Sequence, residues 1–281
     1  MTAPLTLAIS PCPNDTFAFH ALVHGLVAGA PPIDVTYADV DVTNTAALDG
    51  RFDLVKVSYA ALPWLLDRYA LLPCGGALGR GCGPLLLVKD SLVSGSDEAD
   101  LRGKTVAVPG DRTTAYLLFR LWAEQAPERA PGDIVVVPFE KIMPGVADGT
   151  YDAGLVIHEA RFTYPRYGLS QLVDLGEWWE ADTGLPIPLG AILAHRERVD
   201  AAAATEWVRA SVRHAWANPS DSDAYVIEHA QEMERDVVNQ HIGLYVNNFT
   251  EDLGPDGYAA IRALLDRAAA AGLVPPIPAD L

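Results

Sequence analysis

The sequence predicts an α/β protein in two lobes with a ligand cleft between them, and three observations carry that prediction. Strand-like and helix-like patterns alternate from Leu5 to Ile157. The same order of patterns returns after 99 residues without a gap. The chain beyond about residue 200 is helical and has no second copy. Alternating strands and helices imply a mostly parallel sheet in each repeat, and a repeat implies two such units. The unpaired helical tail must then cover one of them. At 281 residues with 50% hydrophobic side chains, the chain can bury a core in each lobe.

Leu5–Ile9 reads as a strand because a short apolar run stops at a Pro-Cys-Pro-Asn-Asp turn. A helix follows over 16–27, a strand over Ile33–Tyr37, a short helix over 43–49 and a third strand over Leu54–Ser58. The second unit repeats the order: strand Thr105–Val108, helix 113–124, strand 134–137, short helix 144–148 and strand 153–157. The offset is visible in the residues. Thr6-Leu-Ala-Ile9 aligns with Thr105-Val-Ala-Val108, Asp34-Val35 with Asp133-Ile134, and Asp49-Gly-Arg-Phe-Asp53 with Asp148-Gly-Thr-Tyr-Asp152, all at 99 residues; Arg68-Tyr69 aligns with Arg166-Tyr167 at 98. Each match alone is chance-level, and the shared offset gives the set its weight.

Two runs carry the chain between lobes. Leu85–Lys89 follows the glycine-rich GGALGRGCG, and 189–195 follows the proline-marked GLPIPLG, so each reads as an extended crossing strand. Residues 1–87 plus 196–281 then form one discontinuous lobe and 88–195 the other. Trp207, Val208, Ser211 and Val212 share one helical stripe in the tail, which packs back on the first lobe. The cleft between lobes is the natural site.

The net charge of -17 argues against a nucleic-acid or anionic-membrane partner, since either surface repels the average field of the protein. Three cysteines, Cys12, Cys74 and Cys82, show neither zinc-type pairing nor a disulfide framework and suit a reducing cytoplasm. The amino-terminal MTAPLTLAIS has no basic segment followed by a cleavable apolar one, and no run approaches the roughly 18 apolar residues of a membrane span.

The stretch GLVIHEARFTYPRYGL concentrates the chemistry. A buried strand ends at His158, and in open parallel sheets the carboxyl ends of strands face the ligand crevice, so this imidazole is a candidate acid or base. The plain alternative is a hydrogen-bonded histidine closing a strand. Glu159 is a weaker candidate for orienting it, because adjacent side chains on a strand point to opposite faces. Other readings fall short. His20 and His24 lie four apart on the first helix, but no third metal ligand stands nearby. His158-Glu159 begins like a zincin motif, yet Phe162 occupies the place of the second histidine. Cys12 has no evident activating neighbour, and Trp178-Trp179 reads first as packing.

Several longer motifs suggest a family. SPCPNDTFAFHALVHG, KVSYAAL, GGALGRGCGPLL, PGDRTTAY and IHEARFTYPRYGL, in this order over nearly the whole chain, resemble the 1,4-dihydroxy-6-naphthoate synthases of the futalosine route to menaquinone. No matched motif departs clearly from the pattern. The resemblance implies a type II periplasmic-binding-protein-like fold in a cytoplasmic enzyme without metal or organic cofactor. It implies a lyase reaction that cleaves cyclic dehypoxanthinylfutalosine to 1,4-dihydroxy-6-naphthoate and dihydroxyacetone, with His158 as the histidine of the catalytic motif.

An anionic small-molecule substrate of this kind needs local donors in an acidic protein, most readily hydroxyls and amides at a helix start. Thr113 and Thr114 open a helix after a Pro-Gly-Asp-Arg turn, and the resemblance points to the same pair; helix capping is their plain reading. In the other lobe, Asn14, Asp15 and Thr16 hold the equivalent turn, while Lys56, Val57 and Ser58 end the facing strand. Two alternatives share the fold: a chorismate dehydratase of the same pathway and a non-catalytic solute-binding protein. The absent export signal weighs against the second, the IHEARFTYPRYGL block against the first, and fold alone separates none of them.

Overall fold

The computed structural model describes residues 3–90, 100–230, 234–279 and 281. In chain order the first half gives β1 (Leu5–Ile9), α1 (Pro13–Val23), β2 (Ile33–Tyr37), α2 (Val40–Leu48), β3 (Leu54–Ser58), a 3-10 turn (Tyr59–Trp64), β4 (Tyr69–Leu71), β5 (Ala77–Gly79) and β6 (Leu85–Lys89). The repeat gives β7 (Thr105–Val108), α3 (Thr114–Ala123), β8 (Asp133–Val136), α4 (Phe139–Asp148), β9 (Ala153–Val156), α5 (Ala160–Thr163), β10 (Leu169–Asp174), α6 (Leu175–Thr183) and β11 (Ile187–His195). The tail contains α7 (Ala201–Ala217), α8 (Asp223–His229), α9 (Arg235–Tyr245), α10 (Asn248–Glu251) and α11 (Gly254–Ala270).

The two sheets share one plan. The first runs β2-β1-β3-β11-β4, with β5 also on β11; the second, read from its other edge, runs β8-β7-β9-β6-β10. In each, the repeat supplies three parallel strands, and the next strand lies antiparallel to the third. The sheets are therefore mixed, not mostly parallel. The antiparallel strands are the two runs expected to cross between lobes, and their pairing moves the expected boundaries at 87/88 and 195/196. Leu85 to Val88 pair with β9, placing all of β6 in the second sheet, and Gly190 to Ala194 pair with β3, placing β11 in the first. The chain thus changes sheets before each strand, after β5 in the first case and after α6 in the second.

Helix bounds shift for local reasons. α1 begins at Pro13, not at residue 16, because proline's fixed φ suits the first turn. It stops at Val23, ahead of Gly25 at φ 69. α2 starts at Val40, ahead of the expected 43, and α4 at Phe139, ahead of the expected 144, with Pro144 inside the helix. The tail packs on the first sheet and α1: Val208, Val212, Val226 and Val238 share a buried cluster with Leu7, Ile9 and Phe19. Ser211, fully buried, accepts from the Leu22 amide at 3.1 Å and donates to the Ala18 carbonyl at 2.7 Å.

Candidate active site

A cavity lies between the sheets, walled by residues at and beyond the carboxyl ends of β1, β3, β7 and β9. That is the crevice at the carboxyl ends of the strands, as an open α/β sheet places it. Asn14, Lys56, Ser58, Thr113, Thr114 and His158 all line it. Among its described lining residues there is no carboxylate, in a chain of net charge -17.

His158 lies just past the end of β9, after Ile157, and adopts φ 55, the one positive φ at a non-glycine among the described residues. A side chain in the left-handed region costs energy unless its surroundings hold it, and such positions cluster at functional sites. The imidazole meets Phe139 edge-on at 5.9 Å and lies parallel to His241 at 6.3 Å between ring centroids. Burial first, and the Lys56 charge second, pull its pKa down to about 4. It is a neutral imidazole at any physiological pH. The same turn takes Glu159 out of the strand and into the start of α5, so strand alternation no longer describes the pair.

The opposite wall is a polar chain. Lys56 forms a buried ion pair with Asp15, which also accepts from the Ser10 amide at 3.1 Å and from the Asn14 side chain at 2.7 Å. Asn14 in turn bonds His241 Nε2 at 2.9 Å. Gly190 leaves room for Lys56: a Cβ there would stand 2.8 Å from Lys56 Cε. Beside this chain, Asn44 bonds the Ser58 hydroxyl at 3.1 Å and amide at 2.8 Å and also donates to the Arg112 carbonyl at 3.3 Å, tying the two lobes across the cleft.

Three expected binding residues do not reach the cavity. Val57 is fully buried in the hydrophobic core, because its neighbours Lys56 and Ser58 take the cleft side of β3 and alternation sends it to the other. Thr16 is turned inward, its hydroxyl donating to the Cys12 carbonyl at 3.2 Å. Asp15 does not line the cavity and acts behind it, as the counter-ion of Lys56. The threonine pair lines the cleft with its hydroxyls already engaged. Thr113 caps α3 by accepting from the Tyr116 amide at 3.1 Å, and Thr114 donates to the Leu189 carbonyl at 2.8 Å while accepting from the Ala60 amide at 3.3 Å. What α3 offers a ligand is its first-turn backbone amides, at Thr114 and Ala115, which have no intrahelical acceptor.

The other candidates resolve as packing. Cys12 is buried, and desolvation followed by Glu159 pushes its thiol well up, the reverse of an activated nucleophile. Trp179 is fully buried with its indole N–H on the Pro186 carbonyl at 3.0 Å. The His20 and His24 rings meet at 4.3 Å, tilted by 34°, and no group of three or more metal-ligating side chains occurs among the described residues. No helix of the described residues is long and apolar enough to cross a membrane. Sequence reading missed Ser10, Thr43, Tyr245 and the segment Cys82-Gly83-Pro84, which also wall the cavity. It missed His241 as well, from the tail. The Gly-Cys-Gly-Pro run after β5 was the one available signal.

A family model described as menaquinone biosynthesis matches residues 5–270. A curated relative from Streptomyces coelicolor, called 1,4-dihydroxy-6-naphtoate synthase, is 63% identical over 279 residues, covering 98% of this chain and 96% of its own length. One of the same name from Thermus thermophilus is 48% identical over 280 residues, covering 99% and 98%. Among solved structures, a protein from Archaeoglobus fulgidus matches at TM-score 0.87 and 32% identity over 96% of this chain and 98% of that one. The Candida albicans CA3427 gene product, described as having the generic periplasmic binding protein fold, matches at TM-score 0.72 and 12% identity over 99% and 92%, a likeness of fold alone. Matched along nearly its full length, the chain belongs to the menaquinone-biosynthesis family and has a periplasmic-binding-protein-like fold.

Proposed function

We propose that the protein is a cytoplasmic carbon–carbon lyase that divides cyclic dehypoxanthinylfutalosine into 1,4-dihydroxy-6-naphthoate and dihydroxyacetone, with His158 as general base. The observation that carries this reading is the neutral imidazole of His158, held at φ 55 in the wall of a cleft lined by donors and free of carboxylates among its described residues. The names of the two curated relatives supply the naphthoate product.

The reaction is redox-neutral, one molecule becoming two, and formation of an aromatic ring drives it. The substrate carboxylate is received by uncharged donors, the first amides of α3 from one lobe and Ser10, Asn14 and Ser58 from the other, with Lys56 adding a charge that Asp15 largely balances. His158 takes a proton from the sugar-derived ring and, as imidazolium, holds a proton for the departing three-carbon fragment. Positioned acid–base groups contribute roughly 10²- to 10⁴-fold. A base desolvated to a pKa of about 4 gives up its proton readily, which favours the return step.

Turnover tests the assignment. The purified protein is incubated with cyclic dehypoxanthinylfutalosine, and in parallel with chorismate, while naphthoate absorbance is followed. Naphthoate from the first substrate supports the reading. Dehydration of chorismate assigns the protein to the dehydratases, and binding without product to either substrate assigns it to the solute receptors.

A further inference from the structure

We infer that His241 is a positioning residue for His158, reaching from the helical tail across the cleft to set its imidazole parallel to the base and limit the access of water to it. The inference rests on the reading of His158 as the base. His241 lies on α9, which packs with the first lobe, whereas His158 sits in the turn after β9 of the second sheet. The two rings are 18° from parallel with centroids 6.3 Å apart, and Phe139 stands perpendicular to His158 at 5.9 Å. One ring is thus held from both lobes, at a backbone conformation that does not hold itself.

The hydrogen bonds fix the state of His241. Because the Asn14 amide nitrogen donates to Asp15, its carbonyl oxygen faces His241, and Nε2 must carry the proton it donates there. Nδ1 is then an unprotonated acceptor, fully buried and without a partner among the described residues. A phenyl ring would fill this space with no unmet acceptor. An imidazole kept here through Asn14, Asp15 and Lys56 links the position of the ring to the polar floor of the cleft. Burial, then His158 and Lys56, hold His241 well below the ordinary histidine pKa, so it adds bulk without charge.

The titratable groups around His158 leave this role open. Lys56 faces it from β3 and Tyr245 from α9; Cys12, Asp39 and Asp41 line a small cavity on its far side, and Glu159 follows it in the chain. His241 is the group whose ring lies parallel to that of His158.

The test uses His241→Ala and His241→Phe in the full chain. The His158 ring is titrated by NMR without ligand, and kcat and KM are measured with cyclic dehypoxanthinylfutalosine. In His241→Ala, more water reaches His158 and its titration moves up by about one unit or more; kcat falls at least about tenfold with KM changed less. In His241→Phe, which restores a dry ring, the low titration point is kept and part of kcat returns. The inference is overturned if folded His241→Ala leaves both the titration and kcat unchanged, or, should the alanine variant not fold, if His241→Phe shifts the titration up as fully as exposure would. A shifted titration alongside normal turnover in His158→Asn would retain the contact and remove the base, separating this inference from the proposed function.

Discussion

The two halves of the repeat match at one edge of their sheets and diverge at the other. At the amino-terminal edge, Asp53 accepts from the Thr6 amide at 2.9 Å, and 99 residues later Asp152 accepts from the Thr105 amide at the same 2.9 Å. Each aspartate amide also donates back to its threonine carbonyl, at 3.2 and 3.0 Å. At the carboxyl edge the side chains differ. β3 ends on Lys56 and Ser58 and continues into a 3-10 turn; β9 ends on Val156 and is followed by a turn that holds His158 at positive φ. β1 leads to a proline-started helix with a buried carboxylate, and β7 to a threonine-capped one. The copies share the edge that fixes strand pairing and differ at the edge that faces the cleft, so the first lobe holds a charge network and the second holds His158, the proposed base.

The largest effect is expected where that network is opened. In Lys56→Met, Asp15 keeps its bonds from Ser10 and Asn14 and loses its counter-ion while fully buried. Breaking a buried pair from one side costs about 3–5 kcal/mol. Denaturant unfolding should show that loss, and adding Asp15→Asn should recover a large part of it. A single variant within about 1 kcal/mol of the parent would mean that the pair is solvated and the lobe is not built around it.

The corresponding change in the second lobe should leave stability nearly intact and remove turnover. His158→Asn is expected to fold, bind substrate and lose at least about a hundredfold in kcat. Because the base must be neutral and its pKa is lowered to about 4, the acid limb of kcat/KM should fall near pH 4, well below the histidine reference of about 6.5. The sign for stability follows from the same shift: the unfolded chain takes up this proton below about 6.5 and the folded chain only near 4, so stability declines as pH drops through that window. An acid limb near 6.5 would place His158 in water and remove the burial that distinguishes this edge.

What the sequence made legible divides along the same line. The amino-terminal edge was visible because its work is done by neighbours in sequence and by an offset: Asp-Gly-x-x-Asp and Thr-x-Ala-x recur at fixed spacing, and short apolar runs between turns are sufficient to place strands. His158, Lys56, Ser58 and the threonine pair were legible because strand ends face the crevice. Residues joined only by tertiary contact were not. His241 comes from a helix 83 positions beyond His158, and nothing local in QHIGLY marks it. Val57 was misplaced by reading three consecutive residues as one surface when alternation allows two. The sheet membership of β6 and β11 was likewise invisible, since an apolar strand carries no record of which ladder it will join.

Thr114 and Thr16 sharpen the contrast with a smaller change. Thr114→Val leaves the Leu189 carbonyl and the Ala60 amide without their partner at the junction of three segments, whereas Thr16→Val removes only bonds to carbonyls of its own helix start. Unmet buried groups cost about 1–3 kcal/mol, so Thr114→Val should lose that much and bind substrate severalfold more weakly as the start of α3 shifts. Thr114→Ser should restore both. Equal losses in the Thr16 and Thr114 variants would show that the threonine pair is ordinary capping.

The smallest effects test the shared edge itself. Asp53→Asn and Asp152→Asn remove the same charge from equivalent places, but the surroundings differ. Asp53 also accepts from the Thr6 hydroxyl at 2.9 Å and faces Arg198 at 3.1 Å, and its side chain is 12% exposed; Asp152 faces Lys104 at 3.3 Å and is 39% exposed. Bonds to a buried charge contribute about 1.5–3 kcal/mol each before compensation, while an exposed pair contributes about 0–1. Asp53→Asn should therefore lower the unfolding free energy more than Asp152→Asn, with the second near the lower limit of detection. Both carboxylates lie at the strand ends away from the cleft, so kcat/KM should stay within about twofold of the parent for each. A tenfold loss of kcat/KM in a stable Asp152→Asn variant would show that the amino-terminal edge reaches the chemistry through β7 and β9, and that the two edges are not separable.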